Sequence, residues 1–160
     1  MRRVAQKGGI VIKRSRILYA LFTAYCALML WLLFNRPGYT EGIPYWQQLL
    51  PNLNLTPFRT LRLFLGLLND HRPYLVRAAL VNLLGNVVMF VPLGLFLPLI
   101  FAKLRKLWRT MLSAALLITA VEITQLFTLV GSCDVDDLIL NLLGAAFGYG
   151  IYKLTKKPDC

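Results

Sequence analysis

Four apolar stretches separated by basic clusters constrain the fold of this chain more than any other feature. Each has the composition of a membrane-spanning helix, and the first three also have the length of one. They are residues 17–34, the 25 residues between Arg77 and Lys103, the segment between Arg109 and Asp134, and the 15 residues Leu138–Tyr152. A hydrophobic fraction of 58% is high for a soluble domain. The sequence predicts an all-α membrane protein, a four-transmembrane-helix bundle.

We predict one membrane domain with short basic flanks. Residues 1–16 form a basic cytoplasmic N-terminus, residues 17–152 form the four-span domain, and residues 154–160 form a cytoplasmic tail. The predicted spans cover residues 17–34, 80–101, 110–130 and 137–153.

The distribution of charge predicts the orientation in the cell membrane. The net charge is +11, and 13 of the 18 Lys and Arg residues lie before Ile17, between Lys103 and Arg109, or after Tyr152. In a four-span protein these three regions share one side, which the positive-inside rule assigns to the cytoplasm. We therefore expect a multi-pass protein with both termini cytoplasmic. The same distribution argues against nucleic acid as a partner, since the charge follows the spans.

The first loop contains a short amphipathic pattern. In the segment Pro57–Leu68 the apolar residues 58, 61, 65 and 68 share one helical face. The pattern predicts a short interfacial helix in an external loop, with membrane lipids as neighbours. Arg59 and Arg62 share another face and are candidates for contacting an anionic headgroup. The alternative is that they only anchor the helix at the surface.

Glu122 is the acidic residue within the third stretch, where an unpaired charge is costly. In the predicted topology, polar residues from three spans converge on it in the outer half of the bilayer. We predict a polar pocket formed by Asn82, Asn86, Glu122, Gln125, Asp134, Asp137 and Asn141. The alternative is that these groups only hold the helices together through hydrogen bonds.

Two further features concern partners and cofactors. Gly144 and Gly148 form a small-xxx-small surface that lets another backbone approach closely, which suggests a homodimer contact. The three Cys residues show no metal-ligand spacing, and we expect neither a metal nor another cofactor.

The chain resembles the VanZ family of membrane proteins associated with teicoplanin resistance in Gram-positive bacteria. The resemblance rests on five motifs, in the family's order: Asn54-Leu-Thr-Pro-Phe58, Asn82-Leu-Leu-Gly-Asn86 with Phe90-Val-Pro-Leu-Gly94, Glu122-x-x-Gln125, Asp134-Val-Asp-Asp137, and Asn141-x-x-Gly144. It implies a multi-pass membrane protein with a role in glycopeptide tolerance. It implies no particular reaction.

Three functions fit these residues. The pocket could bind a lipid-linked cell-wall precursor or a lipid-anchored glycopeptide, and this is the function we favour. A second is a lipid-headgroup enzyme with Glu122 as acid or base and Asp134 or Asp137 as orienting group or ligand of a divalent ion. A third is a proton-coupled lipid transporter with Glu122 as proton carrier. Against an enzyme, the constellation lacks a histidine, a nucleophilic serine motif and a metal-binding motif.

Overall fold

In the computed structural model, residues 2–35 and 37–155 are described, with side chains from Arg16 onward. Six α-helices follow in order: α1 (Arg2–Phe34), α2 (Tyr45–Leu49), α3 (Arg59–Leu67), α4 (Pro73–Ile100), α5 (Leu107–Thr128) and α6 (Val135–Thr155). Two short strands, β1 (Leu53–Asn54) and β2 (Cys133–Asp134), pair in parallel. Of the predicted tail, residues 156–160 lie outside the described residues.

Four of the described helices are long and apolar enough to cross a membrane. They are the segment Arg16–Phe34 of α1 and the whole of α4, α5 and α6, with 19, 28, 22 and 21 residues. Side chains such as Trp31, Val81 and Leu116 are 60% or more exposed on these helices, as expected where lipid is the solvent. The protein is therefore an all-α membrane protein, as the sequence predicted. Since helix ends do not mark the bilayer surface, the predicted span bounds stay predictions.

The centre of the bundle is the contact between α4 and α6. A Cβ on Gly144 would lie 2.0 Å from the carbonyl oxygen of Val87, and a Cβ on Gly148 would lie 1.9 Å from that of Val91. Gly94 of α4 likewise lies against the backbone of Ala145. The two helices therefore pack backbone to backbone, which only glycine permits at these positions.

This packing bears on the predicted homodimer. The surface formed by Gly144 and Gly148 is covered by α4 of the same chain. A second copy could reach these glycines only if α4 were displaced. The homodimer itself stays a prediction.

Helices α1 and α5 complete the bundle around this pair. The apolar core draws on all four long helices: Met29, Leu33, Phe90, Leu93, Leu97, Ala114, Ile118 and Ala145. The Tyr25 hydroxyl of α1 donates to the carbonyl oxygen of Met89 on α4, at 3.0 Å. At one end, the Thr110 hydroxyl donates to the Leu104 carbonyl and the Tyr149 hydroxyl to that of Arg105. We call this end, with Lys103–Arg109, the basic end.

The opposite end carries the segment between α1 and α4. The amphipathic pattern predicted for this segment is found in part: Leu61 and Phe64 of α3 and Leu68 just after it are half-buried, and Arg59 and Arg62 are exposed. Of the predicted apolar face, residues 58 and 65 are about half exposed, at 48% and 49%. The strand pair joins this segment to the start of α6. We call this the acidic end, after Asp134, Asp136 and Asp137.

Candidate functional site

The start of α6 is fixed by Asp134. Its Oδ1 accepts the backbone N–H of Asp136 at 2.8 Å, which is the hydrogen bond of a helix N-cap. A carboxylate also suits this position because the helix dipole is positive there. The other oxygen, Oδ2, accepts the Thr60 hydroxyl at 2.5 Å and the Asn54 side-chain amide at 3.1 Å. Asp134 therefore caps α6 and binds the first loop at once.

Asp136 holds the beginning of α3. Its two oxygens accept the backbone N–H groups of Phe58 at 2.5 Å and of Leu61 at 3.0 Å. These N–H groups belong to the first turn of a helix, where they have no intrahelical partner. Phe58 has a φ of 63°, a left-handed conformation uncommon for a bulky residue. Asp136 is 2% exposed and stabilises this strained turn from within the protein.

A small cavity lies inside the acidic end, between α1, α4, α5 and α6. Its volume is about 70 Å³, enough for more than one water molecule. We call it the core cavity. Six of the seven residues predicted to form the pocket line it: Asn82, Asn86, Glu122, Gln125, Asp137 and Asn141. Leu33, Met89, Gly131 and Ser132 complete the lining.

The polar groups of the core cavity are partly paired with one another. The Asn86 amide donates to Asp137 Oδ1 at 2.6 Å, and the Gln125 amide donates to the Leu33 carbonyl at 2.9 Å. Glu122 is 6% exposed, and its Oε2 lies 3.5 Å from the backbone nitrogen of Asp134. Glu122 thus faces the bundle interior and not the surrounding lipid.

A second cavity, about 310 Å³ in volume, lies between the first loop, α3 and the start of α6. We call it the loop cavity. Asp134, the seventh predicted residue, lines it together with Arg59, Asn54 and Thr60. The two cavities adjoin, because Asn82, Ser132 and Asp137 line both. Arg62 is exposed on α3 and is not part of this lining.

An apolar cleft about 250 Å³ in volume opens between α1, α4 and α5. Its lining includes Tyr25, Met29, Leu33, Phe90, Leu117 and Val121. Leu33 also lines the core cavity, so the apolar cleft and the core cavity meet at this residue.

Three residues important to this region were not in the predicted pocket. Asp136 stands in the sequence as a member of the Asp134-Val-Asp-Asp137 motif, and nothing in that motif shows that its partners differ from those of Asp137. Asn54 belongs to the Asn54-Leu-Thr-Pro-Phe58 motif, which could have pointed to it. Thr60 carries no signal in the sequence that separates it from other loop threonines.

Two observations describe the metal-ligating and nucleophilic groups of this region. Among residues 16–35 and 37–155, no group of three or more His, Cys, Asp or Glu side chains is placed to hold a metal ion. Cys133 lies at the edge of the site, in β2, and burial raises the pKa of its thiol. A thiol with a raised pKa is a weaker nucleophile at neutral pH.

Comparison with known proteins identifies the family. The VanZ/LLP1 family matches residues 22–156, a range that includes the last 13 residues of α1, all of α2 to α6 and both cavities. The chain is similar to Protein VanZ of Enterococcus faecium, with 27% identity over 139 residues, 86% of this chain and 74% of that protein. No solved structure matches the chain. Because the family match spans nearly the whole described bundle, the chain belongs to the VanZ/LLP1 family, as its motifs indicated.

Proposed function

We propose that this protein binds a lipid-linked, phosphate-bearing component of the bacterial envelope, or a lipid-anchored glycopeptide such as teicoplanin. Binding of this kind would contribute to glycopeptide tolerance. The acidic end faces the outside in this proposal, because the basic end carries the Lys103–Arg109 cluster. The observation that carries the proposal is the pair of adjoining polar cavities at one end of a membrane bundle.

The loop cavity suits the phosphate of such a ligand. Arg59 lines it and provides a guanidinium group, which binds phosphate oxygens with paired hydrogen bonds. Thr60 and Asn54 of the same lining are held in place by Asp134. The proposed phosphate contact therefore rests on Arg59, and contact by Arg62 is a separate prediction.

The apolar cleft suits the hydrocarbon part of the ligand. It runs along α1, α4 and α5 and meets the core cavity at Leu33. A molecule with a polar head and a long apolar chain would thus have both parts accommodated on adjoining surfaces. Free polar metabolites would leave the cleft unused, and plain hydrocarbons would leave the carboxylates and amides unused.

Native mass spectrometry of the protein extracted in mild detergent tests this proposal. We expect a co-purified phospholipid or polyprenyl-phosphate species that survives delipidation. Arg59→Gln should weaken its binding about tenfold, the effect of losing one charge-assisted hydrogen bond. Arg62→Gln, on the same helix but outside the cavity lining, should change it less than threefold. A protein that retains no lipid, or equal losses in both variants, would contradict the proposal.

A second candidate function is acid–base chemistry on a lipid headgroup. The observation that favours it is Glu122, a buried carboxylate that lines the core cavity. Incubation with a radiolabelled lipid extract, followed by chromatography, would reveal a product with the native protein and none with Glu122→Gln. Unchanged lipids would leave binding as the function.

A further inference from the structure

The core cavity has unpaired hydrogen-bond acceptors. Among the described residues, the Oδ1 atoms of Asn82 and Asn141 are buried and have no hydrogen-bond partner. Asn141 is 2% exposed, so no bulk water reaches it. A buried acceptor without a donor is costly, and two in one small cavity indicate that a donor belongs there.

The other lining groups include two carboxyl groups and no cationic side chain. Glu122 and Asp137 line the cavity, and none of the residues in its lining is Lys, Arg or His. Two amide donors of the lining are already used, since Asn86 donates to Asp137 and Gln125 to the carbonyl oxygen of Leu33. The cavity therefore has two acceptors that need a donor, and its lining carries no positive charge.

A primary ammonium group supplies both. It has three N–H donors and one positive charge, and it accepts no hydrogen bond. Its size is close to that of a water molecule, which the cavity of about 70 Å³ can hold together with an attached methylene. A trimethylammonium group has the same charge, but it has no N–H donor for the two acceptors and is larger.

We propose that the core cavity binds the primary ammonium group of a zwitterionic lipid headgroup whose phosphate lies at Arg59 in the loop cavity. This proposal rests on the proposed function, since it takes the bound ligand to be a phosphate-bearing lipid. The two cavities share Asn82, Ser132 and Asp137, so a headgroup with phosphate and ammonium two carbons apart would span them. The acceptors of the core cavity would face the ammonium group, and the Arg59 guanidinium of the loop cavity would face the phosphate, so the charges of the site and of the headgroup are complementary.

Three lipids with the same acyl chains separate the possibilities. The delipidated protein is titrated with phosphatidylethanolamine, phosphatidylcholine or phosphatidylglycerol and analysed by native mass spectrometry. We expect phosphatidylethanolamine to bind at least tenfold more tightly than either of the others. Equal binding of all three would overturn the ammonium proposal and leave the proposed function standing. Binding of none would overturn the ammonium proposal, and the proposed function would fall as well only if the protein also retained no co-purified lipid in the first experiment.

Soluble headgroups and ions then test the core cavity itself. Phosphoethanolamine should raise the melting temperature of the protein, and phosphocholine should not. Stabilisation by Ca²⁺ or Na⁺ without any by phosphoethanolamine would instead assign the oxygens to a metal ion and overturn the proposal.

Two variants connect the preference to the acceptors. Asn141→Leu, nearly the same shape without the polar atoms, should reduce the preference for phosphatidylethanolamine over phosphatidylcholine to less than threefold. Asn82→Leu, at a less buried position, gives the same test if Asn141→Leu does not fold. An unchanged preference in a folded variant would contradict the assignment.

Discussion

At the residue scale, Asp134, Asp136 and Asp137 are neighbours in sequence but have different partners. Asp134 precedes α6 and binds side chains of the first loop, while Asp136 binds backbone N–H groups of α3. Asp137 faces the core cavity and accepts from Asn86. Consecutive residues in a helix point about 100° apart, so a run of aspartates at a helix start addresses several neighbours at once.

Asp136 is therefore expected to be structural. Asp136→Ala leaves the N–H groups of Phe58 and Leu61 buried without an acceptor, at a cost of about 2–4 kcal/mol. Hydrogen exchange of amides 58–67 should then accelerate by roughly 30–1000-fold, because the turn opens locally.

The matched control for Asp136 is Asp70→Ala. Asp70 lies in the same loop, is bonded to the exposed Arg72 and has a pKa lowered by that partner. Its loss should leave exchange in α3 unchanged, since a surface ion pair contributes little. Equal exchange in both variants would show that Asp136 does not hold α3.

Glu122 gives the second prediction at this scale. Glu122→Gln keeps the shape and hydrogen-bonding capacity of the side chain. Its free energy of unfolding should lie within about 1 kcal/mol of that of the native protein. Glu122→Leu keeps the volume but leaves polar neighbours unpaired and should cost about 1–3 kcal/mol. Thermal unfolding in detergent, followed by tryptophan fluorescence, measures both.

The same pair of variants separates the functions of Glu122. If the proposed glycopeptide tolerance requires base catalysis or proton exchange, Glu122→Gln should abolish it at normal expression. Full tolerance with Gln would leave only a structural or neutral-binding role for this side chain.

At the element scale, the packing of α4 against α6 depends on glycine. Both Gly144→Ala and Gly148→Ala would place a methyl group about 2 Å from a carbonyl oxygen of α4. The backbone cannot yield as a side chain can, so each change should cost about 3 kcal/mol or prevent folding. The yield of monodisperse protein in size-exclusion chromatography is the measurement.

Gly150→Ala is the control for the glycine series. Gly150 lies on the same helix, and a Cβ there would have no neighbour within 4 Å. This change should be neutral or stabilise the helix by about 0.5–1 kcal/mol, because alanine favours helix more than glycine does. A tolerated Gly144→Ala would contradict the close packing.

The elements show which features of the fold were predictable. Uncharged length predicted three of the four long helices, whereas the fourth reaches 21 residues only by including Asp136, Asp137 and Lys153. The positions of Asn82, Glu122 and Asn141 near the same ends of their helices predicted that they converge. The sequence also indicated that a backbone approaches Gly144 and Gly148, but not that α4 is the one. The bond from Asp136 to Phe58 joins residues 78 positions apart, and no local pattern encodes such a pairing.

At the scale of the whole molecule, the predicted orientation in the membrane can be tested directly. Two single-cysteine proteins, one with Cys133 and one with Cys160, are treated with an impermeant maleimide in intact cells. Cys133 should react without permeabilisation and Cys160 only after it, since thirteen basic residues assign the termini to the cytoplasm. Labelling of Cys160 in intact cells would reverse the topology.

The pH dependence of the labelling provides an internal check. Burial raises the pKa of the Cys133 thiol, so less thiolate is present at neutral pH than for a free cysteine. The labelling rate of Cys133 should therefore still increase with pH in the range where the rate for a free thiol, with a pKa of about 8.5, no longer changes. A rate that levels off at or below that pH would contradict the burial of this thiol.

The bonds from Asp134 and Asp136 to the first loop also have a consequence for biogenesis. They connect α6 to residues that are made 74 to 80 positions earlier. While the ribosome is still producing α5, the backbone N–H groups of Phe58 and Leu61 lack the Asp136 carboxylate that accepts them in the folded protein. Helix α4 also lacks its contact with Gly144 and Gly148 of α6. The last span therefore completes both the packing and the two polar cavities. A chain that stalls after three spans would leave Asn86 without Asp137 and Glu122 without the backbone N–H of Asp134, so an unfinished bundle differs from the finished one by unpaired polar groups within the membrane.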